Sequence, residues 1–287
     1  MADFVIYSDS GCDLSEYTLR SWGVAYSELT FIFDGDNTSY KNYELSAEEF
    51  YSRLRTANAK TSAVNSETFK EGFEKYLSQG IDVLYLGFDS GISTTYNSGH
   101  LAAEELREKY PERKIIDIDT LCASVGQGLL LYMTVQKKNS GATIEETAEY
   151  VRNTMMSIGT WFTVDDLDYL KRGGRVSATT AFVGGLLDIK PILHIDNEGK
   201  LISVAKQRGR RKALAEIVKK YGELALDPAN GPLAVANGDC REDTDLFISM
   251  MKEKYGVEPV IDENVRAVIG SHTGPSVIVV CFPAKER

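Results

Sequence analysis

Residues 83–96 read Val-Leu-Tyr-Leu-Gly-Phe-Asp-Ser-Gly-Ile-Ser-Thr-Thr-Tyr, and this stretch decides the fold. Its first four residues form an apolar run that predicts a buried strand. The segment after Gly87 is rich in glycine and hydroxyl residues, which predicts a turn that leads into a helix. In an open α/β sheet, ligands tend to bind where such a turn follows the carboxyl end of a strand. We therefore expect an α/β fold with a binding site beside this turn.

The residues before and after this stretch follow the same alternation. Apolar runs at residues 4–7 and 115–118 predict two more strands. Helical spacing of apolar residues predicts a helix that begins near Ser66 and another over residues 101–110. Strands separated by helices of ~10–15 residues imply a mostly parallel sheet. We expect residues 1–160 to form an open α/β domain.

Two helix starts in this half carry a capping box. The Ser-x-x-Glu or Thr-x-x-Glu spacing begins at Ser46 and again at Thr143. In this motif the hydroxyl and the carboxylate each accept a hydrogen bond from a backbone amide that the helix leaves free. Both positions are therefore predicted helix N-termini.

The second half has a different pattern, which predicts a smaller, mixed-sheet α/β domain over residues 161–287. Residues 192–204 consist of two apolar runs around Asp-Asn-Glu-Gly, a combination that predicts a β-hairpin. Further on, strands alternate with helices, and the predicted segments are strand 233–236, helices near 212–221 and 243–255, and strand 277–282. No Pro/Gly/Ser-rich linker marks the division near residue 160.

Composition excludes several classes of protein. The formal net charge of the 287-residue chain is −10, and an acidic surface repels the phosphates of nucleic acids and anionic membranes. The first residues lack the basic and apolar regions of a signal peptide, and no apolar run reaches ~18 residues, so we expect a cytoplasmic protein without stable membrane anchoring. The four scattered cysteines form no CxxC pair and are expected to be reduced and buried.

Motifs for catalysis and cofactor binding are missing from the sequence. It contains no GxGxxG, GxxxxGK[ST], HExxH or GxSxG, and it has three histidines. A site with several histidine ligands is therefore disfavoured, and we expect neither a metal nor a cofactor.

Small hydroxyl residues instead recur beside predicted turns. Thr61 and Ser62 precede the helix near Ser66, while Ser93 and Thr95 stand where the next helix begins. Hydroxyls and free backbone amides at a helix start can converge on one anion, although each hydroxyl alone reads as an ordinary N-cap. His272, between Ser271 and Thr273, can donate to a carboxylate, or it can be a loop histidine with local hydrogen bonds.

Two basic segments have simpler readings. Residues 170–177 contain Gly173 and Gly174 between basic residues, a pattern typical of a helix end whose cations complement the helix dipole. Arg175 follows this turn. Residues 207–212 form a second basic cluster, which without interleaved aromatic residues indicates a solvated helix start or a partner contact more than an RNA site.

In combination, these segments resemble the DegV family of fatty-acid-binding proteins. The similarity runs in order along almost the whole chain, through seven short motifs. They are Asp-Ser-Gly-Cys-Asp-Leu at 9–14, Thr-Ser at 61–62, Ser-Gly-Ile-Ser-Thr-Thr-Tyr at 90–96, Asp-Thr-Leu-Cys-Ala-Ser-Val-Gly-Gln-Gly at 119–128, Leu-Lys-Arg-Gly-Gly-Arg-Val-Ser at 170–177, Leu-Asp-Ile-Lys-Pro-Ile at 187–192 and Ile-Gly-Ser-His-Thr-Gly-Pro at 269–275.

The resemblance implies a long-chain fatty acid held between two α/β domains, in a protein that is a carrier and not an enzyme. Its carboxylate would be bound by five side chains, namely Thr61, Ser62, Ser93, Thr95 and His272. Arg175 would lie near the carboxylate or face a partner, and that partner would be a separate fatty acid kinase that makes the acyl phosphate. Phe69, Phe73, Phe162, Leu186 and Leu187 are candidates for the tunnel wall, although ordinary core positions suit each of them.

The sequence departs from the family pattern at three places. Thr94 stands where the family usually has glycine, Ala63-Val64-Asn65 replaces Gln-Pro-Ser, and Ser276 follows Pro275 where glycine is usual. The first two lie beside the predicted carboxylate site and bear on its shape and its ligand preference.

Three other functions fit parts of the sequence. An acyl hydrolase would use Ser93 as nucleophile and His272 as base, but no acid identifies itself as the third member. A binding subunit for small hydroxy-ketones, serving a kinase, would need a polar pocket and a reactive histidine. A DNA-binding regulator would need a basic recognition surface, which this acidic chain lacks.

Overall fold

The computed structural model describes residues 4–165, 167–177 and 188–287, whose strands form three sheets. In chain order the strands are β1 Phe4–Asp9, β2 Val24–Ser27, β3 Thr30–Phe33, β4 Tyr40–Lys41, β5 Ala59–Ser62, β6 Asp82–Gly87, β7 Ile115–Asp119, β8 Ile158–Thr163, β9 Ile189–Ile195, β10 Leu201–Arg208, β11 Ala234–Asn237, β12 Ile261–Asn264 and β13 Ile278–Pro283.

Helices connect and cover these strands. In chain order they are α1 Glu16–Ser21, α2 Ala47–Leu54, α3 Ser66–Leu77, α4 Thr95–Lys109, α5 Val125–Asn139, α6 Ile144–Thr154, α7 Asp168–Arg172, α8 Arg210–Leu224, α9 Arg241–Tyr255 and α10 Ala267–Thr273, with 3-10 turns at Ser10–Cys12 and Met155–Ser157. Both predicted capping boxes are present, at Ser46 before α2 and at Thr143 before α6.

The first sheet has the order β2-β1-β6-β7, and all of its strand pairs are parallel. Every residue of β1 and of β6 is buried. Strands of this kind are covered on both faces, which is why they appear as continuous apolar runs in the sequence. The predicted parallel α/β sheet of the first half is confirmed.

The second sheet is mixed and has the order β10-β9-β8-β13-β11-β12. The predicted hairpin is β9 and β10, which are antiparallel with a register shift between Ser203 and Ala205. β11 pairs with β12 in parallel and with β13 antiparallel, so the mixed sheet of the second half is also confirmed. The division near residue 160 stays a prediction; β8 is the first strand along the chain that joins this sheet.

One helix lies in the core that the two large sheets share. α5 buries Leu130 in a cluster that includes Ile6 of the first sheet and Val279 of the second. Because α5 contacts the apolar faces of both sheets, it fixes the loops at the edge of one sheet against the strands of the other.

The third sheet is small and was not predicted from the sequence. It is antiparallel, with the order β4-β3-β5, and it sets Thr61 opposite Phe31. Its strands are two to four residues long, which is too short for a reliable alternation pattern. The sheet nevertheless holds β5, which carries Thr61 and Ser62.

Candidate functional site

The order of the first sheet creates a crevice beside β1. From β1, the chain continues to β2 on one side and later returns to β6 on the other, so the connections leave in opposite directions. Loops that diverge in this way leave a gap at the carboxyl ends of the strands, where ligands bind in open α/β proteins. The loop after β6 is the stretch of residues 88–94 with which the sequence analysis began.

A cavity of about 430 Å³ opens at this crevice. Its volume is within the range of roughly 300–1,000 Å³ that is usual for small-molecule sites. The apolar part of its wall comes from strands of the second sheet, from α7 and α10, and from segments that follow strands of the first and third sheets, and consists of Leu29, Ala63, Phe88, Ile92, Ala123, Phe162, Leu170, Ile195, Leu201, Val268, Ile269 and Val279. Its polar lining consists of Thr61, Ser62, Ser90, Ser93, Thr94, Ser124, Thr160, Arg175, His272 and Thr273.

Four of the five predicted carboxylate-binding residues therefore line the cavity. Thr61 and Ser62 come from β5, Ser93 from the turn before α4, and His272 from α10. Thr95 is the exception: it is fully buried behind Ser93, and the two side-chain oxygens are 2.9 Å apart. Ser93 Oγ also accepts a hydrogen bond from the backbone amide of Thr95, so Thr95 contributes to the position of Ser93.

His272 lies in the last turn of α10. Of the two alternatives for this residue, the loop histidine is therefore wrong. Its Nε2 is 2.8 Å from the Thr61 hydroxyl, which brings residues 211 positions apart into contact. Its Nδ1 is buried and has no hydrogen-bond partner among the described residues. Burial, with a smaller contribution from the charge of Arg175, lowers the pKa of His272 to about 4. The ring is therefore neutral at physiological pH.

Gly173 packs directly on the His272 ring. A Cβ atom placed on Gly173 would be 2.1 Å from Nδ1 of the ring, far closer than two non-bonded atoms can approach. The sequence analysis assigned Gly173 and Gly174 to a helix end. The contact with His272 is a second reason why position 173 requires glycine. No signal in the sequence links these two positions.

Arg175 lies between the turn after α7 and the turn before α4. Its Nε donates to the carbonyl oxygen of Ile92 at 3.2 Å, and one terminal nitrogen donates to that of Gly173 at 2.5 Å. Burial lowers the pKa of the guanidinium from its ordinary value, yet this group stays charged. Within the described ranges no carboxylate oxygen forms an ion pair with Arg175, so a half-buried cation beside the cavity has no anionic partner.

A smaller cavity of about 180 Å³ adjoins the first one at Arg175 and Ile92. Here the turn before α4 meets the β9–β10 hairpin, and a Cβ on Gly91 would be 2.7 Å from the carbonyl oxygen of Glu198. Lys200 of the hairpin lines the same space. The turn after β6 of the first sheet and the hairpin of the second sheet are therefore in contact beside Arg175.

The remaining candidates have varied outcomes. Phe162 lines the cavity, whereas Phe69 and Phe73 lie in the core between α3 and the first sheet, as ordinary core positions do. Leu186 and Leu187, together with the start of the 187–192 motif, lie outside the described residues. Thr94 and Ala63, two departures from the family pattern, are part of the cavity wall.

Metal chemistry and membrane spanning find no support in the described part of the chain. In residues 4–165, 167–177 and 188–287, no three His, Cys, Asp or Glu side chains are grouped so that they could hold a metal ion. Among the same residues, no helix has the length and apolar character to cross a bilayer. The four cysteines are free, and three of them are buried.

Several wall residues that the sequence analysis missed come from strand interiors and from the segment before α5. Thr160 of β8 pairs with Cys281 of β13, Val279 of β13 pairs with Phe162 of β8, and Ser124 precedes α5. Each belongs to a segment that looks like ordinary core or cap in the sequence. Only the pairing of β8 with β13, more than 100 residues later, places them on one wall.

Together, the fold and the cavity define a class: α/β proteins with two large sheets and an apolar-walled cavity that has neutral donors and a cation at its polar side. Comparison with known sequences gives the particular family. The sequence model of the DegV family matches residues 3–285, and the chain belongs to this family. A DegV domain-containing protein of Clostridium perfringens is 41% identical over 286 residues, which cover 98% of each chain.

Solved structures of similar proteins have the same fold over nearly their whole length. A DegV lipid-binding protein from Thermotoga maritima is 30% identical, with a TM-score of 0.86 and 99% of each chain covered. A stearic acid-binding protein from Eubacterium ventriosum is 28% identical, with a TM-score of 0.87 and 98% of each chain covered. A fatty-acid-binding DegV family protein from Thermus thermophilus is 26% identical, with a TM-score of 0.88, and 98% of this chain and 99% of that one are covered.

Proposed function

We propose that this protein binds a long-chain fatty acid in the 430 Å³ cavity and carries it without altering it covalently. The observation that carries the proposal is the composition of the cavity wall: apolar side chains from the second sheet, from α10 and from the loops beside the first sheet, with Thr61, Ser93, His272 and Arg175 at the polar side. A fatty acid has the same division into an apolar chain and one anionic group. Binding of stearic acid by the Eubacterium ventriosum protein supports the assignment.

The apolar wall accounts for most of the affinity. Burial of a methylene group contributes ~0.8 kcal/mol, so a chain of about 16 carbons offers roughly 12 kcal/mol before costs. Loss of translational and rotational freedom opposes binding by about 4–15 kcal/mol. A net affinity useful for a carrier therefore requires that nearly all of the chain be enclosed.

The polar side meets the need of a buried carboxylate for donors. A carboxylate without partners is strongly disfavoured in an apolar site. In the proposed complex, Thr61, Ser62 and Ser93 donate hydroxyl hydrogen bonds to the carboxylate, and His272 Nε2 donates to the Thr61 hydroxyl, which leaves the Thr61 proton free for the ligand. Thr95 holds Ser93 in place, and Arg175 supplies the compensating positive charge.

We further propose that the bound carboxylate is presented to a separate fatty acid kinase, which would form the acyl phosphate. This division of work is supported by the poor catalytic geometry of the cavity itself. His272 bonds to Thr61 and not to Ser93, and among the described residues its Nδ1 has no carboxylate partner and no Asp or Glu lines the cavity. A base whose pKa is about 4 is also too weak to activate a hydroxyl near neutral pH.

The hydroxy-ketone alternative is disfavoured by the wall. A ligand of a few polar atoms gains nothing from the long apolar surface formed by Phe162, Val279 and their neighbours. Mass spectrometry distinguishes this function from the carrier function. A hydroxy-ketone bound covalently at His272 would appear as a mass increase that survives denaturation.

The test is mass spectrometry of the purified protein under native and denaturing conditions, followed by analysis of the solvent-extracted lipid. We expect a fatty acid of about 16–18 carbons that is present under native conditions and lost on denaturation. The double variant Ser93→Ala, His272→Ala should lose it, whereas His194→Gln should keep it. His194 is a matched control because its pKa is also lowered by burial, but it stacks on Trp161 and does not line the cavity.

Two outcomes would count against the proposal. If the wild-type protein carries no lipid and fails to bind added fatty acids, the carrier function is wrong. If instead the double variant retains the full amount of fatty acid with unchanged affinity, the carboxylate is bound elsewhere.

A further inference from the structure

Among the hydroxyl residues of the cavity that the proposed carboxylate site leaves unused, two lie beside the apolar wall. Thr160 lies on β8 and Ser124 immediately before α5, and both line the cavity. The predicted carboxylate-binding residues stand on other elements, namely β5, the start of α4 and α10. Thr160 and Ser124 are therefore polar positions apart from those elements, on a wall to which Phe162, Ala123 and Val279 contribute apolar side chains.

Thr160 is almost fully buried, and its hydroxyl is poorly satisfied. Among the described residues, its hydrogen-bond partner is the thiol of Cys281, at 3.5 Å, and a thiol is a weak donor and a weak acceptor. Gly126 lies against it, since a Cβ at Gly126 would be 2.7 Å from Thr160 Oγ1. Valine would have the same shape and the same preference for strands, so neither packing nor β-propensity requires a hydroxyl here.

Ser124 is held in place by two hydrogen bonds. Its Oγ donates to Asp13 at 2.6 Å, and its amide donates to the carbonyl oxygen of Gly11 at 2.8 Å. Its backbone has φ 53° and ψ −145°, a conformation that is rare for residues other than glycine and that concentrates at functional sites. Since Oγ uses its proton for Asp13, its lone pairs are left to accept a hydrogen bond.

We propose that this hydroxyl pair, Thr160 and Ser124, recognises a polar group on the acyl chain, so that the protein takes a hydroxylated fatty acid in preference to the plain acid of the same length. The inference rests on the proposed function. A chain hydroxyl would donate to Ser124 or Thr160 and accept from Thr160. A plain methylene at this place would leave the Thr160 hydroxyl buried against hydrocarbon, which disfavours its binding.

The experiment is a comparison of affinities for octadecanoic acid and for octadecanoic acids with a hydroxyl at different chain positions, on wild-type protein and two variants. Thr160→Val removes the hydroxyl and keeps the shape. Thr163→Val is the matched control, because Thr163 is on the same strand, is fully buried and has a hydroxyl without a partner among the described residues, but it does not line the cavity.

We expect the wild-type protein to bind at least one hydroxy acid roughly fivefold more tightly than the plain acid. Thr160→Val should abolish or reverse this ratio, while Thr163→Val should leave it unchanged. Because a ratio of two ligands is measured on each protein, a general loss of stability in a variant does not imitate the effect.

Two results would overturn the inference while leaving the carrier function intact. One is a wild-type protein that binds octadecanoic acid more tightly than every hydroxy acid. The other is a preference for a hydroxy acid that is the same in Thr160→Val. Failure of all of these acids to bind would instead remove the proposed function, and this inference with it.

Discussion

The polar and the apolar parts of the cavity are built in different ways. The polar side uses residues at the ends of elements: Thr61 at the end of β5, Ser93 before α4 and His272 in the last turn of α10. The apolar wall uses mid-strand side chains such as Phe162 and Val279, which face each other across β8 and β13. Element ends can change with little effect on the core, while mid-strand residues serve stability and ligand shape together. We therefore expect substitutions at the polar side to alter affinity, and substitutions in the wall to alter both stability and chain preference.

The largest expected effect is that of Phe162→Ala. Removal of a buried phenylalanine should lower the free energy of unfolding by about 3 kcal/mol, and the enlarged cavity should favour longer or bulkier acyl chains. Denaturant unfolding and binding of a chain-length series measure the two effects. Phe247→Ala is the control, because Phe247 is fully buried in the core cluster around Trp161 and does not line the cavity. An equal shift in chain preference in both variants would contradict the assigned role of the wall.

The next effect is the pH dependence contributed by His272. Its folded pKa of about 4 lies below the ordinary 6.5, so the unfolded chain binds the proton first as the pH falls. This contribution to stability is complete above pH 6.5 and is lost as the pH falls towards 4. Relative to wild type, His272→Gln should therefore gain on the order of 2 kcal/mol between pH 7 and pH 4.5.

The difference between the two proteins is the quantity to measure, because buried acids act in the opposite direction. Burial raises the pKa of Asp9 to about 6 and those of Asp13 and Asp89 to about 7. Their contributions are complete at low pH and are lost as the pH rises through these values. They are present in both proteins and cancel in the comparison. A difference that stays constant from pH 7 to 4.5 would show that His272 does not titrate in this way.

Arg175→Gln should separate affinity from stability. The affinity for a fatty acid should fall by roughly tenfold, because the carboxylate loses its charged partner. The thermal midpoint of the ligand-free protein should not fall, since a half-buried cation does not favour folding when, as among the residues that the structure describes, no carboxylate pairs with it. Lys171→Gln, at an exposed neighbouring position, is the control. A lower midpoint with unchanged affinity would assign Arg175 a purely structural role.

The smallest effect is expected at Ser93. Ser93→Ala removes one neutral hydrogen bond to the carboxylate and should weaken binding by about fivefold. Ser98→Ala, one turn into α4 and outside the cavity, should have no effect. Isothermal titration with one fatty acid measures both. Equal affinities of Ser93→Ala and wild type would indicate that the backbone amides at the start of α4, and not the hydroxyl, bind the head group.

The same contrast explains how far the sequence alone could lead. Buried parallel strands, capping boxes and the β9–β10 hairpin follow from local patterns, and they were predicted correctly. The polar side was also accessible, because its residues cluster in short motifs beside turns. In contrast, the small β4-β3-β5 sheet has strands too short to show a pattern, and α5 shows little amphipathicity because it is buried between two sheets.

Apart from Phe162, the strand residues of the wall were not predicted, for a further reason. Thr160 and Phe162 face the cavity, while Trp161 and Thr163 face the other side of the sheet, yet all four are buried. A strand buried on both faces gives no sequence signal for which face borders a ligand. The proximity of His272 to Gly173 and to Thr61 likewise depends on tertiary packing.

The contact between Gly173 and His272 has a consequence for mutational scans of this protein. Position 173 would tolerate almost no substitution, although Gly173 is not among the residues that line the cavity. Any side chain there displaces the imidazole from Thr61, so variants at 173 should reproduce the binding profile of variants at 272. A hundred residues apart in sequence, the two positions would score as a single functional position.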